Sequence, residues 1–110
     1  GKKATVERAR LEREKVINQR QDLQRSIRME VHNARIEYLN ARRSLDGQSK
    51  NLDLARRIYE TTQIKYREGV GSSLEVNQAE QSLYQTQSNY LQSLYNLVTA
   101  RFALNRALGN

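Results

Sequence analysis

The stretch Glu68-Gly69-Val70-Gly71-Ser72-Ser73-Leu74-Glu75 decides the fold. It holds the one cluster of turn residues in a chain of 110 residues with five glycines and no proline. Without proline nothing obliges a helix to stop, so a glycine–serine cluster stands out as punctuation. Ser72 and Glu75 have capping-box spacing: the Ser72 hydroxyl can accept from the Glu75 amide, while the Glu75 carboxylate reaches back. Gly69 or Gly71 can supply the left-handed residue that ends the preceding helix. The end of one helix and the start of another therefore meet here. The elements expected are a helix over about 4–67, a tip at 68–73 and a second helix over about 74–109. Gly47 stands alone in a helical pattern at a cost of ~1 kcal/mol relative to Ala, and reads as a place of tight packing rather than a break.

Outward from the turn, both arms count in sevens. Before it stand Val31, Tyr38, Leu45, Leu52, Tyr59 and Tyr66, each with a residue four places earlier: Ile27, Ala34, Ala41, Gln48, Ala55 and Thr62. After it stand Val76, Leu83, Tyr90, Leu97 and Leu104, each followed three places later by Ala79, Thr86, Ser93, Ala100 or Ala107. A heptad seam with large residues at one core position and small ones at the other describes paired helices. The small residues let backbones approach and the large ones fill the space beside them. Arms joined by a short turn run antiparallel, so the fold expected is all-α, a long antiparallel coiled-coil hairpin. Strands would need period-two alternation, and a disordered chain would not keep the sevens.

The second arm also carries an outer apolar face of Leu91, Leu94, Tyr95, Val98, Phe102 and Leu108, which asks for neighbours on both sides. The first arm is longer by about 28 residues, roughly 95 Å against roughly 54 Å at 1.5 Å per residue. In that surplus Val6, Leu11, Val16, Ile17 and Leu23 drift across the helix face. Either this half is bare and frays, or another chain or segment covers it; the second is favoured.

Composition excludes several function classes. No apolar run approaches the ~18 residues of a membrane span, and no signal peptide opens the chain. With no Cys and one His, disulfide scaffolds, thiolate nucleophiles and Cys/His zinc sites are excluded. His32 is isolated, no Ser or Thr has a His at helical spacing, and the carboxylates sit beside bases rather than beside each other. No catalytic or metal site and no cofactor is indicated, and the chain does not read as an enzyme. The net charge of +7 lies wholly on the first arm. Bases and acids interleave there, as in Glu7/Arg10, Arg8/Glu12, Arg10/Glu14, Asp46/Lys50 and Asp53/Arg57, which is a solvated helix surface. No aromatic interleaves with a basic patch before Tyr38, so nucleic-acid binding is not expected.

The run from Tyr66 through Gly69, Leu74-Glu75-Val76, Ala79, Leu83, Tyr90, Ala100 and Leu104 to Ala107-Leu108-Gly109 resembles the outer-membrane efflux proteins of the TolC type. The resemblance is specific from about Tyr66 to Gly109; upstream there is only a compatible heptad. It implies a trimeric channel in which a membrane β-barrel continues into a long periplasmic α-barrel, with a long helix paired to two shorter ones stacked end to end. This chain would then be the second periplasmic hairpin of such a protomer. Its environment would be the periplasm, below the outer membrane of a Gram-negative cell, in a multidrug-efflux or type I secretion conduit. The implied partners are a periplasmic adaptor (membrane fusion) protein and, through it, an inner-membrane pump.

By the same resemblance the tip residues Gly69, Val70, Gly71, Ser72 and Leu74 would touch the adaptor, Tyr66 would match a gating tyrosine, and Glu75 a pore acid. The family's gate arginine falls on Gly71 and its second pore acid on Gln78, so an arginine-centred gate is not carried over. Glu75 serves either a helix cap or an acidic ring made by three copies. Val70 and Leu74 are either a docking surface or two exposed apolar residues. A periplasmic adaptor hairpin and a generic structural coiled coil are the alternative readings. An isolated chain of this kind is expected to self-associate.

Overall fold

A computed structural model of the chain describes residues 1–109. It has two helices, α1 (Lys2–Arg67, 66 residues) and α2 (Ser73–Ala107, 35 residues), and no strand among the described residues. The rod measures 101 × 20 × 14 Å. At 1.5 Å per residue α1 accounts for about 99 Å, so one unbroken helix sets the full length. Gly47 does not interrupt it and does not mark tight packing: a Cβ placed there meets nothing within 4 Å.

The seam follows the sevens. On α1, Val31, Ala34, Tyr38, Ala41, Leu45, Gln48, Leu52, Ala55, Tyr59 and Thr62 are all buried or half-buried. So is every heptad residue of α2 from Val76 to Ala107. The most deeply covered are small or medium: Ala34, Leu52, Ala55, Ala79 and Ser93. Among the described residues no large side chain is wholly buried, as two helices alone cannot surround one. Ser93 satisfies its hydroxyl by donating to the Tyr90 carbonyl at 2.9 Å, which is how a polar residue sits at a core position without a penalty.

On α1 the seam stops one core position short of expectation at each end. Tyr66 is exposed, because the chain opposite it has already left α2 for the turn. Ile27 is exposed, because α2 ends before reaching it. Residues 1–30 are exposed throughout. The outer apolar residues of α2, including Leu91, Tyr95 and Phe102, are exposed too. Of the five surface ion pairs expected on α1, Arg10–Glu14 (3.6 Å) and Asp53–Arg57 (3.1 Å) form. Both are solvated and contribute little.

Candidate functional site: the hairpin tip and its flanks

The turn is built from backbone hydrogen bonds that glycine makes possible. Gly69, at φ +78°, is the left-handed residue, and Gly71 is not. The Gly69 amide donates to the Tyr66 carbonyl at 3.1 Å and the Val70 amide to the Lys65 carbonyl at 3.0 Å, which is a Schellman ending of α1. The Gly71 amide donates to the same Lys65 carbonyl at 3.1 Å. Gly71 is needed for space instead: a Cβ there would lie 3.0 Å from the Lys65 Cβ and 3.2 Å from the Tyr66 nitrogen. Two glycines two places apart thus answer two separate constraints, torsion and contact.

Ser72 caps α2, its Oγ accepting from the Glu75 amide at 3.2 Å. The return bond of a capping box, in which the Ser72 amide would donate to the Glu75 carboxylate, is not formed. Glu75 remains in the first turn of α2, where its charge favours the helix dipole, with its side chain in solvent. Val70 is 77% exposed and Leu74 64% exposed, so the tip presents two apolar side chains on a rigid turn. Tyr66 is 53% exposed beside them. The structure therefore brings Tyr66, Val70, Leu74 and Glu75 to one end of the rod, all reachable from outside.

A second polar cluster lies above the tip, one that the sequence reading missed. The Gln63 amide donates to the Tyr59 hydroxyl at 3.0 Å. On α2, Glu80 raises the pKa of the neighbouring Tyr84 phenol, by hydrogen bonding first and then by its charge. The i,i+4 spacing of Glu80 and Tyr84 was the available signal, hidden because neither belongs to the seam. Farther up, the Arg42 guanidinium stands 5.9 Å from the Tyr38 ring centre.

Among the described residues no cluster of His, Asp and Glu could hold a metal ion, and no helix is long and apolar enough to cross a membrane. The clefts along the rod are shallow, and one runs between Leu39, Arg42, Asp46 and Tyr90.

No curated protein and no solved structure matches the chain. A family model described as outer membrane efflux protein matches residues 1–110, which is the whole chain. The heptad-paired hairpin, the glycine-built tip and this end-to-end match agree, and the chain belongs to the outer membrane efflux protein family.

Proposed function

We propose that this hairpin is a wall segment of the periplasmic α-barrel of a trimeric outer-membrane efflux channel, with residues 68–73 as its free tip. The single observation that carries the tip assignment is the pair Val70 and Leu74, exposed on a turn in which the Gly69, Val70 and Gly71 amides are all hydrogen-bonded back to α1. Apolar side chains held in water on a rigid support favour burial against another protein, here a periplasmic adaptor coupled to an inner-membrane pump. Tyr66 and Glu75 flank that contact, where three copies of each would converge on the channel axis and close it at rest. A ring of Glu75 carboxylates would attract cations and repel its own members. The substrates conducted are the solutes or proteins handed over by the pump; no chemistry on them is involved.

The unpaired surfaces fit the same reading. The bare half of α1 and the outer apolar face of α2 are covered by other helices of the barrel. Removed from it, the 110-residue chain covers them by associating with itself.

The decisive experiment is export by the full-length channel carrying Val70→Asp. Val70 is largely exposed and outside the seam, so the helices stay folded, and export falls several-fold with loss of adaptor crosslinking. Export and crosslinking at the unsubstituted level would remove the tip assignment.

A further inference from the structure

We propose that one broad face of the hairpin, an uncharged amide-rich face, is the surface that meets the conducted solute; the inference rests on the channel reading above.

An antiparallel pair has two broad faces, each made of one flank of α1 and the like flank of α2. The first face is visible in the groove where Arg42, Asp46 and Ser49 of α1 lie beside Tyr90 and Leu97 of α2. Counting in sevens from Arg42 gives Arg28, Arg35 and Arg56 on that flank, and from Asp46 gives Asp53 and Glu60 behind it. Every charged residue between Tyr38 and Ile64 lies on this flank or on the back of α1. On α2, Glu80 and Arg101 share this side with the exposed apolar residues Leu91, Leu94 and Val98.

The other face has a different chemistry. From α1 it takes Asn40, Ser44, Gly47 and Asn51, then the exposed apolar Leu54 and Ile58, with no charge between Glu37 and Lys65. From α2 it takes Gln78, Ser82, Gln85, Asn89, Gln92 and Asn96, with no charge between Glu75 and Arg106. The amides pair along the helix in a repeat of seven. Gln85 Nε2 donates to Asn89 Oδ1 at 3.0 Å, and Gln92 Nε2 to Asn96 Oδ1 at 3.0 Å. Both pairs are solvent-exposed, and neither belongs to the seam.

Two physical requirements assign the faces. The flank with Leu91, Leu94 and Val98 gains by being covered, so it faces neighbouring protein rather than a water-filled bore. A conducting wall must let solutes leave as readily as they enter, which rows of fixed charge oppose for any counter-charged solute. Amides already bonded to one another wet the wall, carry no net charge and hold no solute strongly. The face would thus be tolerant of solute type along its length, with Glu75 and Lys65 bounding it at the tip end.

The test uses the full-length channel in planar lipid bilayers, with single cysteines at Gln85→Cys and Gln92→Cys on the amide face and at Leu91→Cys and Val98→Cys on the apolar flank. A cationic thiosulfonate reagent is expected to lower conductance in steps and shift ion selectivity toward anions at the first two positions, leaving the other two unchanged. No change at Gln85→Cys and Gln92→Cys in a conducting channel overturns the face assignment while the channel reading stands. If neither the unsubstituted protein nor a Tyr66→Ala variant, which removes part of the proposed resting closure, conducts, the channel reading falls and this inference with it.

Discussion

Residues 31–67 and residues 2–30 belong to one unbroken helix, yet only the first group is packed. In the packed part, large and small residues alternate at fixed heptad places, so the seam keeps facing α2. In the bare part Leu11, Val16, Ile17 and Leu23 lie on different sides, and no single neighbour in this chain covers them. Helicity is nevertheless continuous. Once the paired part has nucleated the helix, each further residue adds one hydrogen bond at modest entropic cost, and the Glu, Arg, Gln and Leu content favours it. The contrast teaches that helix formation and helix packing are separately encoded here: propensity carries α1 to its full length, and only the heptad says where a partner lies.

Amide exchange is where this contrast should be largest. Amides of residues 34–62 are expected to exchange more than ~10-fold more slowly than those of residues 5–28, since exchange in the bare half needs no loss of packing. Equal protection in both halves would mean that the bare half has found cover, and its concentration dependence would tell whether from a second copy. Leucine truncation makes the same comparison energetically. Leu52→Ala should cost about 2–4 kcal/mol in urea unfolding followed by circular dichroism, from lost burial and an unfilled gap between the helices. The same change at Leu11 should cost under ~0.5 kcal/mol.

The glycines sharpen the comparison by sign. Gly71→Ala should destabilise by about 1–3 kcal/mol, because the added methyl presses on the Lys65 Cβ and the Tyr66 nitrogen. Gly47→Ala should stabilise by about 1 kcal/mol, because that position is helical and open. Thermal melts of the two variants shifting in the same direction would break the account. The smallest effect expected at the turn is Ser72→Ala, near 1 kcal/mol, for one lost cap bond to the Glu75 amide. A loss well above that would show that the Glu75 side chain also holds the cap.

Much of the fold was legible because heptad spacing is a one-dimensional signal. Val31 to Thr62 and Val76 to Ala107 could be assigned to a seam by counting. The ends were less legible: Tyr66 keeps the count but leaves the seam, since a turn consumes residues that a periodic count does not foresee. At the site, the Ser72 cap could be read from its side-chain chemistry. The division of labour between Gly69 and Gly71 could not, as both look alike in sequence while one answers a torsion and the other a contact. Gly47 misled for the same reason, because a missing side chain signals either closeness or nothing.

By itself, then, the sequence determined two helices, their antiparallel pairing, the place of the turn and the residues of the seam. Those follow from local rules: spacing along the chain, capping chemistry and the absence of proline. The tertiary structure decided which glycine bends and which makes room, where the seam ends, and that Val70, Leu74, Tyr66 and Glu75 gather at one exposed tip. These depend on what stands opposite each residue across the turn, and no spacing within a single helix records that.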